Sequence, residues 1–162
     1  MAAITGLNHA VLYVRDAKKS ADFYSKVFEM EIIHELPGAV FLKCKNTNND
    51  HDLGLFSLGD NATKLPRGAS VGLYHLAWQV DTLAGLEQME KSLIEVGSLI
   101  GASDHGATKS LYGQDPNGID FEVMWMVPEE LLEPQDSMKT QHLDLQKEIE
   151  RFGADTQGRR AN

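Results

Sequence analysis

The fold is decided by two nearly identical segments, Gly6-Leu7-Asn8-His9 and Gly72-Leu73-Tyr74-His75. Each segment opens an apolar run, at residues 10–14 and 76–80, and each run is followed by a helix-like stretch. Recurrence of a whole pattern at this spacing indicates that one structural unit occurs twice. The repeat also places two imidazoles, those of His9 and His75, at matching points of the two copies.

The first copy, module one, is predicted to span residues 4–58 with the order β-α-β-β-β. Asp16 is the predicted N-cap of its helix, because a carboxylate there can accept a hydrogen bond from a free backbone N–H. Apolar residues recur at helical spacing after this cap and predict an amphipathic helix. The predicted strands cover residues 7–14, 31–35, 40–44 and 52–58.

A segment with Pro66 and Gly68, residues 59–69, is the predicted linker to module two, which spans 70–127. Module two repeats the order of elements, with Asp81 as the predicted N-cap and Gly97 ending the helix. The fold class is therefore predicted as α+β, with two β-α-β-β-β modules that form a curved mixed sheet around a cavity. The predicted strands cover residues 73–80, 98–101, 110–114 and 119–127.

The C-terminal part departs from the repeat. Residues 128–152 are predicted to form a helical extension, in which Leu145, Ile149 and Phe152 lie on one face. Residues 153–162 are polar and are predicted to be a disordered tail. The extension could cover either the surface of its own domain or that of a partner subunit.

Composition restricts the classes of partner. The chain has 162 residues, 42% of them hydrophobic, and a formal net charge of −9. An acidic chain lacks the basic surface that nucleic acids and anionic membranes require, so neither is expected as a partner. A single cysteine, Cys44, and the lack of a signal segment or a long apolar stretch predict a cytoplasmic protein.

Side-chain alternation predicts where the two histidines point. In the first strand, Ala10, Leu12 and Val14 provide the apolar face that the helix covers, which leaves His9 on the opposite face. The same alternation places His75 on the corresponding face of module two.

A carboxylate accompanies the two histidines. Glu122 lies inside an apolar strand, and alignment of the last strands of the two modules places Gly54 at the matching position. Imidazoles and carboxylates are costly to place in such strands unless they are liganded or hydrogen-bonded. His9, His75 and Glu122 therefore indicate one metal site with three protein ligands and open positions for substrate.

One further segment carries a family resemblance. It reads His105-Gly106-Ala107-Thr108-Lys109-Ser110-Leu111-Tyr112-Gly113-Gln114-Asp115-Pro116-Asn117-Gly118-Ile119-Asp120-Phe121-Glu122. This order of a histidine, an apolar-Tyr pair, Asp-Pro-x-Gly and a glutamate resembles the signature of type I extradiol ring-cleavage dioxygenases, in the vicinal oxygen chelate superfamily. The resemblance covers residues 4–127, with Ser103 as a minor departure from the usual pattern.

The resemblance implies a role for each site residue. His9, His75 and Glu122 match the ligands of a non-haem Fe(II), for which Mn(II) occasionally substitutes. His51 matches the acid/base histidine, while His105 and Tyr112 match the pair that hydrogen-bonds substrate and oxygen species. The implied enzyme is an extradiol dioxygenase that cleaves a catechol-type aromatic diol with O₂, and a homodimer or a higher homo-oligomer is the assembly considered.

Two alternatives share the scaffold. Another metalloenzyme of the superfamily, such as a glyoxalase-like lyase or isomerase, expects a fourth protein ligand where Gly54 stands. A fosfomycin-type transferase would need a cationic pocket, which this acidic chain does not suggest. A non-catalytic drug-binding protein of the bleomycin-resistance kind has no need of the three ligands or of His51, His105 and Tyr112.

Overall fold

The computed structural model describes residues 3–4, 6–63, 71–137 and 140–160. Residues 64–70, which include most of the predicted linker at 59–69, lie outside this part of the chain. The order of elements is β-α-β-β-β twice, followed by a C-terminal extension, so the predicted α+β repeat is confirmed. The chain divides into two compact units: unit 1 runs to Val71 and includes Pro116–Gly118, and unit 2 comprises Gly72–Asp115 and the chain from Ile119.

Unit 1 contains one mixed four-stranded sheet and one helix. The strand order is β1-β4-β3-β2, with β1 and β4 parallel and the other pairs antiparallel. Its elements are β1 (Ala10–Val14), α1 (Ala17–Phe28), β2 (Glu31–Leu36), β3 (Ala39–Lys43) and β4 (Leu53–Ser57).

Local sequence explains how α1 begins and which face of the sheet it covers. Asp16 caps the helix, as predicted, because its carboxylate accepts the Lys19 N–H at 3.0 Å. On β1, Leu12 and Val14 are 7% and 2% exposed, whereas Val11 and Tyr13 are 52% and 71% exposed. The predicted alternation is confirmed, and the helix covers only one face of this sheet.

Unit 2 contains a mixed five-stranded sheet in the order β5-β8-β7-β6-β9, with β5 and β8 parallel. Its helix α2 is capped by Thr82, whose hydroxyl accepts the Gly85 N–H at 3.0 Å; the prediction of Asp81 was one residue early. The elements of this unit are β5 (Leu76–Gln79), α2 (Leu83–Glu95), β6 (Leu99–Asp104), β7 (Thr108–Gln114), β8 (Asp120–Met126), β9 (Gln141–His142) and α3 (Leu145–Phe152), with 3₁₀ turns at Glu129–Leu131 and Pro134–Asp136.

Hydrogen bonding groups the strands into two mixed sheets, one in each module, rather than one. The predicted first strands were also too long at their N-terminal ends, since β1 begins at Ala10 and β5 at Leu76. His9 and His75 therefore each lie one residue before a strand, at matching positions. In the described part of the chain, no helix is long and apolar enough to cross a membrane.

The polar segment 154–160, which belongs to the predicted tail at 153–162, makes backbone hydrogen bonds to the rest of unit 2. The Gly158 N–H donates to the Asp81 carbonyl at 2.7 Å, and the Arg159 N–H donates to that of Met126 at 3.0 Å. A side chain at position 158 would approach the Trp125 indole nitrogen within 2.8 Å, so glycine permits this close passage. These contacts use main-chain atoms, which polar composition does not reveal.

Candidate active site

The strand register makes Gly54 and Glu122 equivalent. Val11, two residues after His9, pairs with Gly54 on β4. Ala77, two residues after His75, pairs with Glu122 on β8. The two modules therefore offer the same backbone position on the strand beside the histidine, and only unit 2 places a carboxylate there.

In unit 2, four side chains form a continuous line of polar contacts. His75 Nε2 lies 3.1 Å from Glu122 Oε2, and the Tyr112 hydroxyl donates to Glu122 Oε1 at 3.1 Å. His105 Nε2 lies 2.8 Å from the Tyr112 oxygen. Of the six predicted site residues, the structure thus brings His75, Glu122, Tyr112 and His105 together.

The Tyr112 hydroxyl is a persistent hydrogen-bond donor. Burial, followed by the nearby Glu122 carboxylate and its hydrogen bond, raises the pKa of Tyr112 to about 12. Both effects disfavour the phenolate, since a second negative charge beside Glu122 would be repelled. Tyr112 therefore keeps its proton throughout the physiological range.

In unit 1, the two predicted site histidines lie side by side. The rings of His9 and His51 have centroids 4.4 Å apart, and the ring of Phe41 meets His51 edge-on at 5.2 Å. His9 Nδ1 is 2.8 Å from the Asn8 side-chain oxygen. Asn8 thus contacts one ring nitrogen and leaves Nε2 of His9 for another partner.

Asp52, which the sequence analysis did not single out, organises the loop that carries His51. Its buried carboxylate accepts hydrogen bonds from the Cys44 N–H and the Thr47 hydroxyl, both at 2.8 Å, and from the Asn49 amide at 2.7 Å. Burial and the Asp52 charge raise the pKa of the Cys44 thiol to about 11. The thiol stays protonated, which disfavours it as a metal ligand or nucleophile.

The donor atoms of His75 and Glu122 fit a shared metal ion. Two ligands bound at about 2.1 Å and at right angles lie about 3 Å apart, as these two do. The Glu122 side chain is 7% exposed and that of His75 is 25% exposed, so both are shielded but reachable. Over the described ranges, no group of three or more His, Cys, Asp or Glu side chains could hold a metal, so the structure gathers two ligands of the predicted three.

The other histidines lie apart from these clusters. His34 is an exposed residue of β2, with its ring 6.3 Å from that of Phe41. His142 is in β9 and pairs with Ser103 of β6. A residue that sequence reasoning missed is Thr140, whose hydroxyl lies 3.3 Å from His105 Nδ1. It falls in the extension, outside the recognised pattern, and no local signal marks it.

The family model described as "Glyoxalase/Bleomycin resistance protein/Dioxygenase superfamily" matches residues 6–123. The chain belongs to this superfamily. The matched range contains every predicted site residue, and it ends before the C-terminal extension. Membership confirms the resemblance to the superfamily that the sequence showed.

This chain is similar to two dioxygenases. It is 28% identical over 119 residues to catechol-2,3-dioxygenase of Bacillus subtilis (strain 168), a match that covers 74% of this chain and 41% of that protein. It is 31% identical over 120 residues to biphenyl-2,3-diol 1,2-dioxygenase 2 of Rhodococcus globerulus, covering 73% and 61%. The chain thus spans less than two thirds of the length of either relative.

A solved structure on the same scaffold has another activity. The lactoylglutathione lyase of Agrobacterium tumefaciens is 26% identical, with a TM-score of 0.57, and the match covers 75% of this chain and 93% of that one. The likeness supports the α+β fold with two mixed sheets. The scaffold itself therefore does not choose between ring cleavage and lyase chemistry.

Proposed function

We propose that the chain is an Fe(II)-dependent extradiol dioxygenase that cleaves a catechol-type ring with O₂ beside, and not between, its two hydroxyls. The observation that carries the proposal is the line of contacts from His105 through Tyr112 and Glu122 to His75. It joins two proposed metal ligands to two proton-bearing groups. The two dioxygenase relatives support the same chemistry.

The proposed metal ligands are His9, His75 and Glu122. Two imidazoles and one carboxylate are the donor set typical of non-haem Fe(II), and Mn(II) is an occasional alternative. The spacing of His75 and Glu122 supports two of these assignments, and the matching position of His9 before β1 supports the third. His9, His75 and Glu122 would hold the iron, which would supply Lewis-acid chemistry toward the substrate oxygens and O₂.

His51 is the proposed acid/base residue. A catechol must lose protons to bind a metal through both oxygens, and imidazole is the side chain that exchanges protons near neutral pH. His51 is half-buried, and the rings of His9 and Phe41 pack against it. This packing limits the orientations of the His51 ring, which favours directed proton transfer.

His105 and Tyr112 are the proposed pair that hydrogen-bonds substrate oxygens and O₂-derived oxygens, in place of the contacts that they make here with each other and with Glu122. Tyr112 stays protonated because its pKa is raised to about 12. Donors that are already oriented stabilise charge that develops on oxygen during the reaction. The hydrogen bond between the two side chains at 2.8 Å fixes their orientation relative to each other.

The proposed substrates are a small aromatic diol and O₂. A cytoplasmic location is part of the proposal, because a single cysteine suits a reducing compartment and such a compartment also keeps iron divalent. We also propose that the chain assembles as a homodimer or a higher homo-oligomer, on the basis of the family resemblance.

A glyoxalase-like lyase is the second candidate, supported by the similarity to lactoylglutathione lyase. That reading expects a fourth protein ligand, and unit 1 has Gly54 at the position equivalent to Glu122. The missing carboxylate favours the dioxygenase.

Anaerobic reconstitution with Fe(II), followed by a panel of substituted catechols, tests the proposal. We expect oxygen uptake, a yellow ring-opened product and incorporation of both atoms of ¹⁸O₂, all absent in Glu122→Ala. Isomerisation of a hemithioacetal without oxygen uptake would assign the chain to the lyases. Tight drug binding without turnover would make it a binding protein.

A further inference from the structure

The C-terminal extension lies beyond the family match at residues 6–123. It packs beside His105. Its strand β9 adds to the edge of the unit 2 sheet, where Gln141 pairs with Asp104 and His142 with Ser103. Asp104 ends β6, and His105 follows directly. The extension is thus joined to the sheet at the point where the chain turns to place His105.

A buried charge cluster fixes the extension in this position. Lys109 on β7 is 0% exposed and forms ion pairs with Asp104 at 2.6 Å and with Glu148 of α3 at 3.0 Å. An ammonium group out of water needs its anionic partners, and losing one of them is strongly destabilising. Because Glu148 belongs to the extension, displacement of α3 would leave Lys109 poorly compensated.

Arg151 then ties the first part of the extension to α3. Its guanidinium donates to both carboxylate oxygens of Asp136, at 2.8 and 2.7 Å, and to Glu133 at 2.6 Å. Bidentate pairing of this kind fixes orientation as well as distance. The segment around residues 133–137 is therefore held against unit 2.

The backbone of this segment lies against the turn that follows His105. Gly106 has φ +79, and a Cβ there would lie 2.3 Å from the Asp136 carbonyl oxygen and 2.6 Å from that of Ser137. No side chain can be placed at 106 without moving the extension or the turn. Glycine at this position thus permits the extension to touch the His105 turn.

Thr140 completes the contact, because its hydroxyl oxygen is 3.3 Å from His105 Nδ1. On the other side of the ring, the Tyr112 hydroxyl directs its proton to Glu122, so its oxygen accepts a hydrogen bond from His105 Nε2. A neutral imidazole with its proton on Nε2 has Nδ1 as an acceptor. With this tautomer, the Thr140 hydroxyl can donate to Nδ1, and such a hydrogen bond would in turn favour the tautomer.

We infer that the extension is a working part of the active site, in which Thr140 is a positioning residue that holds His105 as the Nε2–H tautomer facing Tyr112. The inference rests on the proposed function, because His105 is the residue whose donor it sets. Thr140 acts through His105 and is not assigned any contact with substrate.

Two substitutions in the 162-residue chain test the inference. Thr140→Val removes the hydroxyl at nearly constant shape, and Thr140→Ser keeps it. The measurement is the pair of ¹⁵N chemical shifts of the His105 ring in the metal-free protein, which report the tautomer without any activity. We expect the Nε2–H form in wild type and Thr140→Ser, and a shift toward a tautomer mixture in Thr140→Val.

Kinetics of the Fe(II)-loaded enzyme provide the second readout. Thr140→Val should lower kcat about tenfold with little change in KM, as expected for one hydrogen bond, and Thr140→Ser should restore it. Unchanged His105 shifts in Thr140→Val would overturn the inference, with thermal unfolding confirming that the variant is folded. If no catechol is cleaved by wild type, the proposed function fails, while the shifts still decide the role of Thr140.

Discussion

The two units carry the same cross-strand row with different chemistry. Each row consists of three residues paired across neighbouring strands. The middle residue lies on β4 or β8, which runs parallel to the strand after the histidine, and its partner on the antiparallel neighbour is aromatic. The row in unit 1 is apolar, whereas the row in unit 2 contains an acid and a phenol. The members are Val11, Gly54 and Phe41 in unit 1, and Ala77, Glu122 and Tyr112 in unit 2.

Packing does not force glycine at the centre of the unit 1 row. A Cβ at position 54 would meet Phe41 and Val11 at 3.5 Å, an ordinary contact distance. The same backbone arrangement therefore accommodates glycine at position 54 and glutamate at position 122. Only the side chain determines that unit 2 supplies a carboxylate there. The comparison teaches that the repeat provides geometry, while single substitutions within it divide the chemistry between the units.

The largest effect should come from removing the acid of unit 2. In Glu122→Ala, the proposed metal loses its carboxylate ligand, and we expect loss of stoichiometric iron binding in a folded protein. Iron analysis after anaerobic reconstitution, with circular dichroism as the folding check, measures this. Full iron retention would show that Glu122 has a structural role and that the two rows do not differ in metal binding.

The next effect tests the imidazole of unit 1. His51→Phe keeps an aromatic ring against Phe41 but removes the proton acceptor, so turnover should fall by roughly 10²–10⁴-fold with iron retained. His34→Phe is the matched control, because His34 is an exposed histidine of the same unit, and its turnover should stay at the wild-type level. An undiminished rate in His51→Phe would transfer the acid/base role to His105.

A smaller effect concerns the acid sensitivity of the extension in unit 2. Hydrogen bonds from Arg151 hold the pKa of Asp136 below its ordinary value of 3.8. A carboxylate whose pKa is lower in the folded than in the unfolded state stabilises the fold at pH values above its unfolded-state pKa. That stability is lost as the pH falls through its folded-state pKa. Asp136→Asn should cost about 1–3 kcal/mol at pH 7, and progressively less below pH 3.8.

Urea unfolding at several pH values measures this difference. The control is Asp22→Asn in unit 1, because Asp22 pairs with Lys18 at 3.3 Å on an exposed helix surface. Such pairs contribute about 0–1 kcal/mol, so the control should change little at any pH. A pH-independent cost in Asp136→Asn would mean that the carboxylate charge is not what holds the extension.

The smallest effect should follow Gly54→Ala. The added methyl group has ordinary contacts, so we expect unchanged iron binding and unchanged turnover. The free energy of unfolding should rise by at most about 1 kcal/mol, because alanine loses less backbone entropy than glycine on folding. Gly113→Ala in unit 2 is the contrasting control, since its Cβ would lie 2.4 Å from the Phe121 ring and should destabilise the sheet. A large loss of turnover in Gly54→Ala would show that the bound substrate lies close to Gly54 and its neighbours in the unit 1 row.

Sequence reasoning predicted what depends on neighbours along the chain. The cap at Asp16 and the alternation of Leu12 and Val14 follow from local hydrogen bonding and strand geometry, and both are found. The repeat gave the equivalence of Gly54 and Glu122, because matching strands must have matching registers. The cap of α2 was misplaced by one residue, since Asp81 and Thr82 are both good caps and local chemistry does not separate them.

The sequence by itself determined the module order, the acid in the last strand of module two and the matching positions of the two histidines, because periodicity and repetition are properties of the chain. Tertiary structure alone decided that Lys109 is buried, since its partner Glu148 is distant in sequence. It also brought Gln141 to Asp104 across 37 residues and Thr140 to His105 across 35. Contacts of this kind exist only once the extension has packed on the sheet, and no local pattern of residues encodes them.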